Sequence, residues 1–418
     1  MNCVMTRGLY LRADGRLPCY CSSGETLTLG RLDHEHLPGN IAADIFESPA
    51  FTRKHAAMAE NKVPFPGICE QCTYLDVDAA LPDGTDRILE WLHLEPAYFC
   101  NLDCRWCHGQ TRREPGGVRM LPLNSVHRLA DDFSAQGYHL DKGNICGVGE
   151  PTLHPKVWEM IDVLKKRLGG DILLSTNGNG PFSPAIVECG LDKLKIAADA
   201  VTQEAYARYR THGSLAKVLD FTAKVAADKA RSGATGPLII WQYILFDYND
   251  SDADLLLYQK MAREHGVDRL RIVYTRCDNY SRRSPNDFPH DFPDIQFLPI
   301  KDDSLIDAEE ARNRFAEIAD LATSSDTMAE AARLGIGLSN RIFHRLLLGV
   351  ERYVDLLAFV RTVKPIAHGN LADLASQDVA AFRALLGGIF RLLADIRRGQ
   401  GDIAQADAYR TFLRTAGL

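Results

Sequence analysis

The stretch ILEWLHLEPAYFCNLDCRWCHG, residues 88–109, joins an aliphatic run to a loop of three closely spaced cysteines. The run Ile88–Pro96 has the length and composition of a buried β-strand. A [4Fe–4S] cluster takes one ligand at each iron, normally a cysteine, so three cysteines leave one iron open to another ligand. Zinc is the alternative, because zinc also binds cysteine and histidine and His108 follows directly. The three cysteines are Cys100, Cys104 and Cys107.

Outward from this loop, short aliphatic runs alternate with amphipathic segments, a pattern typical of β–α units with parallel strands. Six such units are too few to close a (β/α)8 barrel, so we expect an α/β fold with a partial (β/α)6 barrel. Catalytic groups of such barrels lie at the carboxyl ends of the strands, where the cysteine loop also falls. The predicted strands are Ile88–Pro96, Asn144–Val148, Asp171–Thr176, Lys193–Ala198, Pro237–Phe246 and Arg269–Tyr274. The predicted helices are Leu123–Gln136, Pro155–Leu168, Ser183–Cys189, Leu215–Ala230 and Asp252–His265.

Composition and charge exclude several classes of protein. The chain has 418 residues, 46% hydrophobic and 25% charged, as in ordinary globular proteins. Its net charge is −7 and no basic block is present, so nucleic acid is not an expected partner. The apolar stretch Leu238–Phe246 is interrupted by Gln242 and too short to span a bilayer, and no signal peptide is recognisable. We expect a cytoplasmic protein without membrane contact, in which eleven cysteines indicate metal or redox chemistry.

Several segments, each following its own predicted strand, resemble the radical S-adenosylmethionine (SAM) superfamily. The C-x3-C-x2-C loop is one, and GVGEPTLHP (147–155) resembles the GGEP motif with Val148 in place of the first glycine. STNG (175–178) and the segment from Asp199 to Arg210, similar to D-A-x-T-x-E-x-Y-x-x-x-R, complete the pattern. In that family the open iron chelates SAM, and its reductive cleavage gives a 5′-deoxyadenosyl radical that abstracts hydrogen from an unactivated C–H bond. The resemblance implies this reaction class, with SAM and a [4Fe–4S] cluster as cofactors and an electron donor such as flavodoxin or ferredoxin.

The resemblance also implies roles for individual residues. The turn at 149–151 is expected to receive the SAM amino group, and the STNG segment to bind the ribose and carboxylate. Arg210 is expected to pair with the SAM carboxylate, a role that suits its planar fork of donors. Trp106 is expected to lie beside the adenine. The predicted SAM-binding residues are Trp106, Gly149, Glu150, Pro151, Ser175, Asn177, Asp199 and Arg210.

Five further cysteines lie in the first 75 residues, in the segments LRADGRLPCYC (11–21) and PFPGICEQC (64–72) and at Cys3. These segments, with IFESPAF (45–51), resemble the SPASM or twitch extension of radical SAM enzymes, although that extension normally follows the barrel. The resemblance implies one auxiliary [4Fe–4S] cluster, completed by either Cys3 or Cys21. A zinc knuckle is the alternative. The candidate ligands are Cys3, Cys19, Cys21, Cys69 and Cys72.

Beyond Lys301 the pattern changes to amphipathic helices with apolar residues at three- and four-residue spacing. We therefore predict three units. Residues 1–84 form the SPASM or twitch-like module, residues 85–300 the partial barrel, and residues 301–418 a helical domain that covers the barrel mouth or forms a dimer contact.

Cys277 follows the sixth predicted strand, at the barrel mouth where a substrate must lie. A thiol there could return hydrogen to the face of a carbon opposite the one attacked by the radical, as in some radical SAM epimerases. An incidental loop cysteine is the alternative. Arg276, Arg282 and Arg283 flank it and could hold an anionic or polyhydroxyl substrate, or could form a solvated surface.

Two reactions fit these features. The favoured hypothesis is epimerisation of a carbohydrate or related small molecule, because the chain begins with the cysteine module rather than with a leader-binding winged helix. The alternative is a peptide- or protein-modifying enzyme that crosslinks or oxidises side chains, with the auxiliary cluster as electron acceptor. A zinc-binding scaffold without catalysis is the third hypothesis.

Overall fold

The computed structural model describes residues 2–19, 27–65, 86–107 and 120–275 as continuous stretches. It also describes residues 69, 75–76, 81, 279, 281, 289 and 292–298, and, near the carboxyl end, 391, 394, 398 and 403–416. Cys21, Cys72, Cys277 and the three flanking arginines lie outside these residues, as does the greater part of the predicted helical domain.

A parallel sheet of eight strands forms the centre of the fold, so the predicted parallel α/β fold is confirmed. Its order is β12-β11-β10-β9-β8-β7-β6-β2, and every neighbouring pair is parallel. Chain order and spatial order agree from β6 to β12, as expected for successive β–α units. The strands are β1 Asn2–Cys3, β2 Gly8–Leu11, β3 Arg16–Pro18, β4 Thr28–Arg31, β5 Leu75–Asp76, β6 Ile88–Leu94, β7 His139–Ile145, β8 Asp171–Thr176, β9 Lys193–Ala197, β10 Leu238–Leu245, β11 Arg269–Tyr274 and β12 Ile295–Leu298.

Two strands extend the predicted set of six. The fully buried strand β2 pairs with β6, with Leu9 opposite Leu92, and β12 pairs with β11 at the other edge. Both are four residues long. Because β2 and β6 are separated by a long stretch of chain, no local pattern predicts their pairing. Strand β2 falls in the predicted unit 1–84, although it pairs with strand β6 of the predicted unit 85–300. The boundaries of the predicted units stay a prediction.

The second predicted strand, Asn144–Val148, was placed too late in the chain. Strand β7 spans His139–Ile145, and its first half is polar, with Asp141 and Lys142 side chains 54% and 58% exposed. A search for aliphatic runs misses such a half-solvated strand. Val148 leaves the strand because its backbone N–H donates to the Glu95 carboxylate instead of to a neighbouring strand.

Helices cover the outer face of the sheet, and the five predicted helices are observed with ends shifted by at most two residues. The buried residues of α8, including Leu255 and Tyr258, show how an apolar stripe packs against the strands. Three further short helices, α1, α2 and α6, were not predicted. The helices are α1 Ile41–Phe46, α2 Pro49–Ala59, α3 Leu123–Ala135, α4 Val157–Leu168, α5 Ala185–Glu188, α6 Gln203–Tyr209, α7 Leu215–Ser232, α8 Asp252–Glu264 and α9 Ile403–Ala416.

Side chains alternate along the strands, so that the sheet has an apolar outer face and a polar inner face. In β9, Leu194 and Ile196 are buried against the helices, whereas Lys193 and Lys195 are half-buried on the other side. Paired residues of parallel strands point to the same side of the sheet. The inner face of the sheet therefore carries charged and amide side chains.

A buried ion pair joins the N-terminal strand to the barrel. Arg12 Nε lies 3.1 Å from Glu95 Oε2, and the two side chains are 3% and 0% exposed. Tyr10 donates to the same oxygen at 3.4 Å, and the Val148 amide donates to Oε1. Burial raises the pKa of Glu95, and the positive charge of Arg12 opposes that shift. Arg12 therefore holds a carboxylate that in turn orients the turn after β7.

We expect Arg12→Met to lower the free energy of unfolding by about 3–5 kcal/mol, because it leaves the Glu95 charge buried without its partner. Urea denaturation under anaerobic conditions measures this. Lys156→Met is the matched control, since it breaks the exposed pair with Glu159 and should change stability little. Equal effects of the two substitutions would contradict the assigned role of Arg12.

Candidate active site

A cavity of about 180 Å³ lies at the carboxyl ends of strands β7 to β10. All three cysteines of the predicted cluster loop line it, together with Ser175 and Gln242. A larger cavity of about 390 Å³ lies at the start of β6, lined by residues such as His55 and Tyr138. No cysteine is among the described residues that line this larger cavity. The smaller cavity is therefore the candidate active site, because the predicted cluster ligands line it.

The cysteine loop is held by the turns that follow three successive strands. Glu150 N–H donates to the Phe99 carbonyl at 2.9 Å, which fixes the loop to the turn after β7. Asn101 Nδ2 donates to the Asn179 carbonyl at 3.0 Å, beyond β8. Arg105 N–H donates to the Tyr209 carbonyl at 2.9 Å, beyond β9. These hydrogen bonds within the protein itself hold the cysteine loop in place.

Close backbone approach explains the glycines of the GVGEP turn. A Cβ at Gly149 would lie 2.2 Å from the Ala97 carbonyl oxygen, and one at Gly147 would lie 2.2 Å from Glu95 Oε1. Neither position can hold a side chain while the cysteine loop and Glu95 keep their places. The close contacts fall at residues 147 and 149, which is why Val148 is tolerated between them.

The Glu150 carboxylate is buried and accepts four hydrogen bonds. Oε1 accepts from Thr152 N–H at 3.0 Å and from the hydroxyls of Thr152 and Thr176 at 2.7 Å each. Oε2 accepts from Asn177 N–H at 2.8 Å. Glu150 thus joins the ends of β7 and β8, with Pro151 buried beside it at the start of a short 3-10 turn. A contact between this carboxylate and the SAM amino group stays a prediction.

Ser175 and Asn177 reach the cavity by different routes. Asn177 Nδ2 donates to Asn101 Oδ1 at 2.9 Å and lies 3.5 Å from Cys100 Sγ. Ser175 Oγ is buried and, like Gln242 Oε1, has no hydrogen-bond partner among the described residues. An orphaned buried polar atom is costly, and both residues line the cavity. These two oxygens are therefore well placed to bind a ligand.

Arg210 connects Asp199 to the cysteine loop. Its Nε lies 2.6 Å from Asp199 Oδ2, and its Nη1 lies 3.5 Å from Cys104 Sγ. Burial raises the pKa of Asp199, and Arg210 opposes the shift. Asp199 also accepts from the Ile244 amide at 2.7 Å. Arg210 already has a carboxylate partner in this arrangement, so its pairing with the SAM carboxylate stays a prediction.

Trp106 packs among aromatic side chains beside the cavity. Its ring centroid lies 5.8 Å from that of Tyr209 and 5.4 Å from that of Phe246. Arg105 lies over the indole, 4.9 Å from its centroid. These contacts do not involve a ligand, so the contact of Trp106 with adenine stays a prediction.

The environment of the loop cysteines fits a thiolate-bound cluster. Burial raises the pKa of Cys104, and the Arg210 charge opposes this, while Asn177 donates toward Cys100. Donors of this kind stabilise anionic sulfur. Within the described ranges, no three Cys, His, Asp or Glu side chains are arranged to hold a single metal ion. The three cysteines that line this cavity could each take one iron of a cubane, which binds one cysteine at each iron.

Three of the predicted auxiliary ligands come together around a residue that was not predicted. Cys3, Cys19 and Cys69 are all buried and belong to the same core. Each acts electrostatically on Lys54 of helix α2: burial lowers the pKa of Lys54, and the three cysteines oppose that shift. Cys19 and Cys69 are far apart in sequence, so only the fold brings them to one lysine.

Sequence reasoning missed several residues of the site. Glu95 could have been recognised as an acid placed between a buried strand and the cysteine loop. Gln242, considered only as an interruption of an apolar run, lines the cavity, as does Cys146, whose Sγ lies 3.4 Å from His93 Nε2. Cys189 is buried away from the cavity, and burial raises its pKa to about 11.

Residues 94–235 match the model of the Radical SAM superfamily, so the chain contains a radical SAM domain. Among curated relatives, GTP 3′,8-cyclase of Lactiplantibacillus plantarum is 30% identical over 203 residues, covering 48% of this chain and 58% of the relative. The same enzyme of Sinorhizobium medicae is 25% identical over 205 residues, covering 47% and 55%. The chain thus spans about half the length of the curated relatives it matches.

Solved structures with a partial likeness to this chain include Streptococcus suis SuiB bound to S-adenosylmethionine, with 13% identity and a TM-score of 0.35 over 75% of this chain and 67% of that one. Methylornithine synthase has 14% identity and a TM-score of 0.32 over 44% and 52%. In the part of the chain that the structure covers, no helix has the length and apolarity needed to cross a bilayer.

We expect Gly149→Ala to weaken SAM binding about tenfold or more, because the added methyl would push the cysteine loop away from the turn after β7. Equilibrium binding of SAM to the iron-loaded protein measures this. Gly39→Ala is the matched control, since a Cβ at Gly39 meets nothing within 4 Å. Unchanged SAM affinity in Gly149→Ala would show that the turn does not position the site.

Proposed function

We propose that this protein is a radical SAM enzyme in which Cys100, Cys104 and Cys107 hold a [4Fe–4S] cluster whose open iron takes SAM. When bound, the cluster and SAM supply a 5′-deoxyadenosyl radical that abstracts hydrogen from an unactivated C–H bond of a small molecule. An external donor such as flavodoxin or ferredoxin delivers the electron. The proposal is carried by one observation: the three cysteines share a cavity with the ends of four successive strands.

The side chains of the chain have distinct tasks in this proposal. Arg210 and Asn177 direct donors at cysteine sulfurs and stabilise their anionic form. Glu150 holds the ends of two strands in register, so that the backbone of residues 147–149 faces the ligand. The unpartnered oxygens of Ser175 and Gln242 offer hydrogen-bond acceptors to SAM or to substrate.

The charges of the inner face favour an anionic substrate. Ser175 lies beside Lys195, and Gln242 lies beside Arg271, in the register of the sheet. Deeper in the barrel the cations are neutralised, because Lys193 pairs with Asp171 and Arg269 pairs with Asp294. Two cations, Lys195 and Arg271, therefore lie next to residues that line the cavity.

Arg271 is the cation on which this proposal rests. Its Nη2 lies 3.2 Å from the Gln296 amide oxygen, and it forms no ion pair with a carboxylate among the described residues. Burial lowers the pKa of Arg271, and the neighbouring Arg269 acts in the same direction. A phosphate or carboxylate of the substrate would relieve both effects. GTP, which the relatives' name identifies as their substrate, is one anionic candidate.

The finer hypotheses on the reaction stay predictions. Epimerisation of a carbohydrate gains no support from the relatives reported above, which are named GTP 3′,8-cyclases. Its proposed hydrogen donor, Cys277, lies outside the described residues. The peptide-modifying alternative is likewise untested.

We expect Cys104→Ala to lose the cluster at the barrel site and to stop forming 5′-deoxyadenosine, because this cysteine is a proposed cluster ligand. Iron analysis and chromatography of reductant-treated protein with SAM measure the two effects. Cys189→Ala is the matched control, since Cys189 is a buried thiol outside the cavity. Colourless zinc protein, or 5′-deoxyadenosine formation that persists in Cys104→Ala, would refute the proposed function.

We expect Arg271→Met to weaken GTP binding by about tenfold or more, because a charge-assisted hydrogen bond contributes about 1.5–3 kcal/mol. Calorimetry of the SAM-loaded protein measures the binding of GTP and of uncharged guanosine. The comparison separates the contribution of the phosphate charge from that of the base. Lys224→Met is the matched control, as Lys224 pairs with Asp220 on the outer surface. Equal binding of GTP by Arg271→Met and the parent protein would remove Arg271 from the substrate site.

Epimerisation makes a separate prediction for Cys277. Cys277→Ala should stop product formation while SAM cleavage continues, because only the returned hydrogen is lost. In deuterated water the parent enzyme should place deuterium at the inverted carbon. Product formation that survives the substitution would exclude Cys277 as the donor.

A further inference from the structure

Lys54 is a lysine enclosed in an apolar core. It lies in helix α2 and is 1% exposed. Its Nζ donates to the Met5 carbonyl and lies 4.2 Å from the centroid of the Phe51 ring. The next residue of the helix, His55, contacts the Thr6 carbonyl at 2.9 Å, so α2 packs firmly against the turn that follows Cys3. The ammonium group therefore cannot reach solvent while this packing holds.

A buried ammonium group needs compensating negative charge, because desolvation of an isolated charge costs several kcal/mol. Lys54 forms no ion pair with an Asp or Glu of the described residues. The Met5 carbonyl oxygen and the face of the Phe51 ring carry only partial negative charge. Among the described residues, Cys3, Cys19 and Cys69 are the ionisable groups whose charge favours the protonated form of Lys54.

Packing contacts connect two of these cysteines, Cys3 and Cys69, to α2. Cys3 Sγ lies 3.5 Å from Thr6 Oγ1, and that hydroxyl lies 3.3 Å from the sulfur of Met58, one turn along α2 from Lys54. Cys69 N–H donates to the Phe65 carbonyl at 2.9 Å, and the Phe65 ring lies 4.9 Å from the guanidinium of Arg53. Two of the cysteines are thus tied to α2 through contacts independent of charge.

We infer that Lys54 is the internal counter-cation of an anionic iron–sulfur cluster bound by Cys3, Cys19 and Cys69. The inference rests on the iron–sulfur interpretation of the N-terminal cysteines and extends it to a residue outside every cysteine motif. Cysteine thiolates give such a cluster a net negative charge, which would compensate the Lys54 ammonium where the described residues offer no carboxylate. Lys54 is a positioning residue, because it acts on the cluster through charge and not as a ligand.

A fixed positive charge also affects electron transfer. One-electron reduction adds negative charge to the cluster, and a nearby ammonium stabilises the reduced form more than the oxidised form. Lys54 therefore raises the reduction potential of this cluster and favours its use as an electron acceptor. Removal of the charge should lower the potential.

The test compares Lys54→Met with Lys54→Arg in the full chain after anaerobic reconstitution with iron and sulfide. Methionine keeps similar volume without charge, whereas arginine keeps the charge. If each site holds a cubane, the parent protein should bind about eight irons per chain and Lys54→Met about four. Where Lys54→Met retains the cluster, its reduction midpoint should be lower than that of the parent. Lys62→Met is the control, because Lys62 is exposed and pairs with Glu60.

A second measurement separates the charge from the hydrogen bond to Met5. In chelator-treated, metal-free protein, Lys54→Met should raise the unfolding temperature, because it removes an uncompensated buried charge. A role limited to holding the Met5 carbonyl predicts the opposite sign. The inference is overturned if Lys54→Met lowers the stability of the metal-free protein, if it keeps full iron content with an unchanged midpoint, or if the N-terminal site contains zinc.

Failure of this inference is distinguishable from failure of the proposed function. Formation of 5′-deoxyadenosine reports on the site at Cys100, Cys104 and Cys107, which Lys54 does not touch. Parent protein that holds only about four irons and still cleaves SAM would overturn the inference and leave the proposed function intact. Loss of SAM cleavage in the fully loaded parent protein would overturn the proposed function instead.

Discussion

The buried pair of Arg12 and Glu95 is the interaction on which the site depends. Arg12 lies just beyond the N-terminal strand β2, Glu95 lies just beyond the first barrel strand β6, and the carboxylate receives the Val148 amide from the turn after β7. One ion pair thus connects three segments that are distant in the chain. Breaking such a pair is costly because the remaining charge stays buried. The position of the turn at the cavity is therefore set by a charge pair outside every recognised motif.

A second recurring arrangement is a buried cation next to sulfur. Arg210 is held by Asp199 and directs a donor at Cys104, so its charge is compensated even without a cluster. Lys54 has no such carboxylate among the residues described, and cysteines are the ionisable groups that act on it. Arg210 thus has a carboxylate partner within the protein, whereas an anionic cluster is the partner proposed above for Lys54.

Much of the fold could be predicted because its signals are local. The aliphatic runs of β8, β9 and β11 and the amphipathic helices between them were located to within a residue or two. Strand β7 was placed wrongly, because solvent at its amino end permits Asp141 and Lys142 where an aliphatic run was sought. Strand β2 was missed because four buried residues show no periodicity, and its partner is remote in sequence.

The sequence by itself predicted the cofactor chemistry, because closely spaced cysteines are typical cluster ligands and close backbone approach favours glycine. Cys100, Cys104, Cys107 and Gly149 are recognisable for that reason alone. Only the tertiary structure decided which other polar residues lie near the cysteines and the cavity: Glu95, Gln242, Arg271 and Lys54 belong to no motif. Charges act through space, and their stabilising partners are set by the packing of distant segments, so their roles are visible only once the chain is folded.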